Sequence, residues 1–234
     1  ANAKSPLIIA GGGARGAAPE ILALAERLAI PVVTTNTGKG ILAESHPLSL
    51  GSSLPFTPMQ EAVAKADVVL AVGTELGETE LLYTGKAYRI AGKLIRVDID
   101  PRQLTMNFLP ALALLSDAGA ALRALLAEEI APAAAVLQTE RRAWVNALKA
   151  RLTEGWSAES AHHKQVLAML AQVLDADALI CADSTQLAYT GNHFFPSRLP
   201  GGWLFPNGYG TLGSAMPAAI GAKIGCPDRQ VLAI

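Results

Sequence analysis

Three glycines, Gly208, Gly210 and Gly213, stand just ahead of a run of small residues that opens near Pro217 and holds Ala218, Ala219, Gly221 and Ala222. A glycine lets backbone come close to a flat or charged ligand with no Cβ in the way. The same spacing serves a tight turn before a buried helix, and spacing alone leaves both readings open. Upstream, Asp183-Ser184-Thr185-Gln186 directly follows the apolar run Ala178–Ala182. Ser184, Thr185 and Gln186 can supply hydrogen-bond donors at a strand end, or form an Asx/Ser turn that caps the next helix. A second glycine cluster, Gly11-Gly12-Gly13-Ala14-Arg15-Gly16, follows the run Pro6–Ala10. Backbone amides at the start of the next helix would there face a phosphate. A nicotinamide dehydrogenase would want an acid near the end of the second strand to bond the ribose. That strand ends Thr34-Thr35-Asn36, without an acid.

The remaining candidates are weaker. Thr37-Gly38-Lys39-Gly40 matches only the tail of a phosphate loop, since Val33 stands where the first glycine belongs and Gly40 where Ser or Thr should follow the lysine. It is read as a structural turn. His46 lies in a connection, His162 and His163 at a helix start, and His193 next to Gly191-Asn192, where it could face a substrate. No His/Cys/Asp spacing suggests a zinc site, no metal ligand is assigned, and no nucleophile elbow is present. Cys181 and Cys226 sit in apolar surroundings and read as core thiols.

These residues must be positioned by an α/β fold. Pro6–Ala10, Pro31–Thr35, Asp67–Val72 and Leu94–Asp98 read as near-continuous apolar strands, and helices are predicted over 17–29, 57–66 and 117–128. Such strands between helices imply a doubly wound parallel sheet covered on both faces, with ligands at the carboxyl ends of the strands. A charged helix over 139–152 lies in a connecting segment, 131–160, that separates a Rossmann-like unit, 1–130, from a second unit, 161–234. In the second unit a helix is predicted over 162–174 and strands at 178–182 and 230–234. The chain has 234 residues, 51% hydrophobic and 17% charged with net charge −1, which suits a core-rich globular protein and argues against a nucleic-acid or anionic-membrane surface. No apolar run reaches the ~18–20 residues of a membrane helix, and Ala1-Asn2-Ala3-Lys4 carries no leader pattern. A cytoplasmic location is expected.

Gly208-Tyr-Gly-Thr-Leu-Gly213 with Met216-Pro-Ala-Ala-Ile-Gly-Ala222, the stretch Pro31–Gly51 with its Thr-Gly-Lys-Gly, and Ile95-Arg-Val-Asp-Ile-Asp-Pro101 together resemble thiamine-diphosphate enzymes of the acetolactate synthase type, in the family's order and over nearly the whole chain. The resemblance implies a middle domain followed by the first part of the pyrophosphate-binding domain. It implies that Ser184, Thr185 and Gln186 wrap the diphosphate, where donors must replace water. It implies that the Gly210 carbonyl, with Gly208 beside it, meets the pyrimidine's exocyclic amine. Leu212 would be the apolar wedge that keeps the cofactor bent, in place of a more usual Met of similar volume. The loop with Gly11, Gly12, Gly13 and Arg15 lies where some members hold the ADP part of FAD. The run Gly73–Glu80, however, lacks the Arg expected of FAD binders, so a loop without ligand is preferred.

In the family the last strand runs into Gly-Asp-Gly, whose Asp and a later Asn hold Mg2+, and an N-terminal domain carries the activating Glu. By that comparison the 234 residues read as a fragment with no catalytic residue of its own, predicted inactive and without micromolar cofactor binding. The parent is expected to act on a 2-oxo acid by decarboxylation or carboligation, as a homodimer or homotetramer. Asp183–His193 departs from the anabolic synthase pattern and looks nearer to synthase-like decarboxylases such as those for guanidino-2-oxopentanoate. The reading of another class is a non-catalytic nucleotide-binding or regulatory module.

Overall fold

A computed structural model describes residues 3–81, 88–154 and 157–234. The side chains of Thr79 and Glu80, at the end of the Gly73–Glu80 run, lie outside that description, as do Ala1, Asn2, Gly155 and Trp156. The first sheet is built from β1 (Pro6–Ala10), β2 (Val32–Thr34), β3 (Val68–Val72), β4 (Lys93–Asp98) and β5 (Leu112–Leu115). All its pairings are parallel, in the order β2-β1-β3-β4-β5. The helices between are α1 (Ala18–Leu28), α2 (Thr57–Lys65), the short α3 (Glu78–Leu81) and α4 (Ala118–Ala127), and α5 (Ala135–Arg151) follows.

Strand alternation divides the core between the two faces. Leu7, Ile9, Val33, Val69 and Leu94 pack with Met59 and Val63 of α2 and with Val145 and Leu148 of α5. Ile8, Ala10, Val32, Val72 and Val97 face Ile21 and Leu24 of α1 and Leu122 of α4. The α5 helix in the connecting segment is therefore seated on the first sheet.

The second unit contains α6 (Ala158–Val173), β6 (Leu179–Cys181), α7 (Gln186–Phe194), β7 (Trp203–Leu204), α8 (Ala215–Gly225) and β8 (Val231–Ala233). Its three strands are parallel in the order β7-β6-β8. Ile180, Ala182, Leu167, Ala188, Phe195 and Trp203 form its core. The small-residue helix α8 leaves Met216, Ile220 and Ile224, one stripe at four-residue spacing, exposed.

The apolar strands and their helices lie where the periodicity puts them. The Gly11–Gly16 stretch, read as a loop, instead winds into a 3₁₀ turn over Gly12–Ala17. Three elements gave no clear signal. Leu112–Leu115 has no β-branched residue, α7 carries Thr190-Gly191 in its middle, and β7 is two residues long.

Candidate functional site

The carboxyl end of β6 delivers Asp183, which organises the loops around it. Its Oδ1 accepts from the Ser184 amide (2.8 Å) and the Gly213 amide (3.0 Å), and its Oδ2 from the Ala215 amide (3.3 Å) at the start of α8. Backbone donation, from Ser184 first, holds this carboxyl below the usual carboxylate range. Ser184 Oγ donates to the Gly210 carbonyl at 2.9 Å. Asp183 and Ser184 thus tie the glycine loop to the end of β6. Sequence reasoning did not single out Asp183, although its place directly after a strand was the signal available.

The glycine loop is open. Gly210 has φ +59° and Gly213 φ +78°, backbone that favours glycine. A Cβ at Gly208 or Gly213 would meet nothing within 4 Å, and one at Gly210 only Ser184 Oγ at 3.6 Å. Tyr209 and Leu212 are 98% and 78% exposed. Opposite lies the N-terminus of α7. Thr185 Oγ1 caps it by accepting from the Ala188 amide at 3.2 Å, so that side chain does the work of a helix cap. The first amides of α7 keep no intrahelical acceptor, and Gln186 is exposed. Ser184, Thr185, Gln186, Gly208, Gly210 and Leu212 are therefore brought to one end of the second sheet. Open glycine backbone, the remaining amides of a helix start and an unburied leucine fit a ligand that joins an anionic tail to flat rings.

The nucleotide loop is different. The order of the first sheet makes β1 and β3 the switch point, where ligands bind in doubly wound sheets. A crevice of about 390 Å3 lies beside it, over the carboxyl ends of β3, β4 and β5, lined by Gly13, Gly73, Asp98, Asp100 and Asp117 among others. The glycines serve packing: a Cβ at Gly11 would collide with the Gly73 carbonyl, one at Gly13 would come within 3.0 Å of Gly73 Cα, and Gly12 faces the Thr37 side chain. Arg15 turns away and donates to the Thr37 carbonyl at 2.7 Å. Buried Arg96 ties the flanking loops, donating to the carbonyls of Thr74 (2.8 Å) and Met106 (2.6 Å). The crevice lining carries Glu75, Asp98, Asp100 and Asp117 beside Thr74, Gln103 and Ser116, and no Lys or Arg.

Thr37–Gly40 is a structural turn that belongs to the seam between the two units. Gly38 packs on the Ala10 carbonyl and Gly40, at φ +82°, on that of Leu199. Lys39 is buried and forms an ion pair with Glu44. Burial pushes Lys39 down and Glu44 up, each opposed by the other's charge. The Glu44 amide donates to the Ser197 carbonyl (3.1 Å), and Lys149 Nζ to the Glu44 carbonyl (3.1 Å). His193 lies at the far end of α7 from Gln186, roughly 11 Å along the helix at 1.5 Å per residue. Its Nδ1 donates to the Ser52 carbonyl at 2.7 Å and its ring meets Phe56 edge-on. Burial lowers its pKa to about 4, with Lys39 adding to the effect against the bond to Ser52. The ring is committed to the seam and does not face the glycine loop.

His46 Nε2 lies 3.4 Å from Glu26 Oε1, His163 Nδ1 lies 3.2 Å from Thr190 Oγ1, and His162 is exposed. Cys181 is a buried free thiol. Among the described residues no three His, Cys, Asp or Glu side chains are grouped to hold a metal ion, and no helix is long and apolar enough to cross a membrane.

Two parallel α/β units, the second with an open glycine loop beside a helix N-terminus, define the architecture of cofactor-binding enzymes of the doubly wound kind. Residues 1–125 match the family description "Thiamine pyrophosphate enzyme, central domain", and residues 183–234 match "Thiamine pyrophosphate enzyme, C-terminal TPP binding domain". The chain belongs to the thiamine pyrophosphate enzyme family. It is similar to a probable 2-ketoarginine decarboxylase of Pseudomonas aeruginosa, 45% identical over the whole chain and 41% of that protein. It is also similar to the acetolactate synthase large subunit of Corynebacterium glutamicum, 32% identical over the whole chain and 38% of that protein. A pyruvate oxidase of Lactiplantibacillus plantarum is 32% identical over 98% of the chain and 38% of its own length. The chain thus spans about two-fifths of the length of these relatives.

Proposed function

We propose that the chain is the middle and cofactor-binding part of a thiamine-diphosphate enzyme that decarboxylates a 2-oxo acid. The observation that carries this is the open glycine loop, tied by Asp183 and Ser184 to the end of β6 and set against the α7 N-terminus. It lies within residues that match the cofactor-binding domain. When bound, thiamine diphosphate supplies a thiazolium carbon that stores the electron pair released with carbon dioxide.

The chain's own groups hold and orient. Gln186 offers its backbone and side-chain amides to the diphosphate and Thr185 the hydrogen of its hydroxyl, while Ser184, whose amide is held by Asp183, sets the loop that carries them. The Gly210 carbonyl already accepts from Ser184 and keeps a second lone pair for the pyrimidine's amine. Gly208 leaves room for the ring edge, and Leu212 places its apolar side chain between the rings. Mg2+ as counter-ion of the diphosphate, and assembly into a homodimer or homotetramer, belong to the same proposal. FAD does not, because the crevice at the carboxyl ends of β3, β4 and β5 is lined by four carboxylates and by no Lys or Arg for its phosphates.

Among 2-oxo acids we favour 2-ketoarginine. Asp183–His193 lacks the anabolic synthase pattern, and the similarity to the probable 2-ketoarginine decarboxylase points the same way. The second reading, carboligation as in acetolactate synthases, rests on the similarity to those enzymes. The test is an assay of the gene product that carries these residues, given thiamine diphosphate and Mg2+, with and without FAD. Carbon dioxide release from 2-ketoarginine well above that from pyruvate, and indifferent to FAD, is expected. Acetolactate formation from pyruvate would select the second reading, and no turnover of any 2-oxo acid would overturn both.

A further inference from the structure

A groove at the opposite end of the first sheet carries chemistry that the thiamine reading does not use. It lies between α2, α5 and the amino-terminal end of β1, and encloses about 290 Å3. That is close to the lower end of the range for small-molecule pockets, ~300–1,000 Å3. Leu7, Ala62 and Leu148 give it an apolar floor. Trp144, 39% exposed, lines it and leaves part of its indole open to solvent.

Three cations surround this apolar ground. Arg141 and Arg151 rise from the stripe of α5 that also carries Trp144 and Leu148, and Lys65 comes from the last turn of α2. Glu61 is the one acid in the lining, and it accepts from Arg151 Nη2 at 3.1 Å. Arg141 donates to the Lys4 carbonyl, a neutral partner, and the nearby Asp67 carboxylate is bonded to the amides of Lys4 and Ser5. Lys65 has no ion-pair partner among the described residues. The groove is thus positive in a chain whose net charge is −1.

We infer that this groove binds a small organic carboxylate with an aromatic body. The indole and the aliphatic floor take the ring, since aromatic pairs gain beyond the area they bury. Arg141 and Lys65 take the carboxylate, the guanidinium through its planar fork. A bare inorganic anion would leave the apolar floor unused, and a neutral aromatic would leave the cations unused.

The 234-residue chain tests this directly by titration with 3-phenylpropionate, following the indole N–H resonance of Trp144, assigned with Trp144→Phe. A saturable shift with a Kd below ~1 mM is expected, with the buried indole of Trp203 unmoved. The neutral 3-phenylpropanamide and inorganic phosphate should each bind at least about fivefold more weakly. Lys65→Ala and Arg141→Ala should each weaken binding about two- to fivefold, the range for an exposed ion pair, with thermal melts reporting that the fold is kept. If Arg141→Ala unfolds, Lys65→Ala, at an exposed side chain, decides. No saturable shift of Trp144, equal binding of the amide, equal binding of phosphate, or affinity untouched in Lys65→Ala would each overturn the inference. None of these outcomes depends on thiamine diphosphate or on turnover.

Discussion

Asp183 shows how one carboxylate can set a loop. Its two oxygens hold the amides of Ser184, Gly213 and Ala215, so its removal should free the glycine stretch without touching the core. In Asp183→Ala, hydrogen exchange at Gly213 and Ala215 is expected to rise by about tenfold or more, while the core amides of β6 keep their protection. The pH dependence has a fixed sign. Because the folded carboxyl titrates below its ordinary value, the stability it lends is present above the carboxylate range and fades as pH falls through it. The buried pair Lys39–Glu44 behaves otherwise. Lys39→Met alone strands Glu44 and should cost about 3–5 kcal/mol, whereas replacing both residues by apolar ones should recover most of that. Denaturant unfolding of the two variants measures the difference. At Gly191 a Cβ would run into the Trp203 ring, whose Nε1 donates to Asn192 Oδ1 at 2.8 Å. Gly191→Ala should therefore destabilise the second unit by about 1–3 kcal/mol despite the better helix former.

At the scale of elements, α7 joins two tasks. Its first residues, with Ser184 and Thr185, face the glycine loop, and its last, His193 and Phe194, enter the seam with the first unit. The strands β1 to β4 were legible in the sequence because β-branched, near-continuous apolar runs buried on both faces have few other homes. The glycines at 208, 210 and 213 read as a turn or as a place of close approach, and the loop they form is open. Those at 11 and 13 look alike in sequence but are small because Gly73 packs on them, a contact across sixty residues or more that no local pattern reports. Thr185 shows the same ambiguity: a hydroxyl after a strand reads as ligand donor or helix cap, and one that accepts as the cap of α7 still has a hydrogen to donate. The helix α7 escaped notice because Thr190-Gly191 breaks its propensity, while tertiary packing of Trp203 supplies the reason for that glycine. Lys39 and Glu44 gave no sign of being buried, since charge in a turn ordinarily means solvent.

At the scale of the whole molecule, the two parallel sheets meet through the loop spanning residues 35–56, the Lys39–Glu44 pair and His193. A neutral imidazole held there makes the seam acid-sensitive. The folded pKa of about 4 lies below the ordinary 6.5, so the unfolded chain takes up the proton first as pH falls. Stability is lost between about pH 6.5 and pH 4, by roughly 3 kcal/mol from this ring. His193→Gln should flatten the slope of stability against pH over that interval, and chemical denaturation at successive pH values reads it out.

The bare stripe of α8 has a practical side. Met216, Ile220 and Ile224 in water amount to a sticky stripe on a surface that also exposes Ile99, Leu109, Val136 and Val173. A preparation of this polypeptide should brighten an apolar-sensing dye, cloud as it is concentrated, and clear when a mild non-ionic detergent is added. Ile220→Glu, which sets a charge midway along the stripe, should lessen that behaviour while leaving far-ultraviolet circular dichroism unaltered.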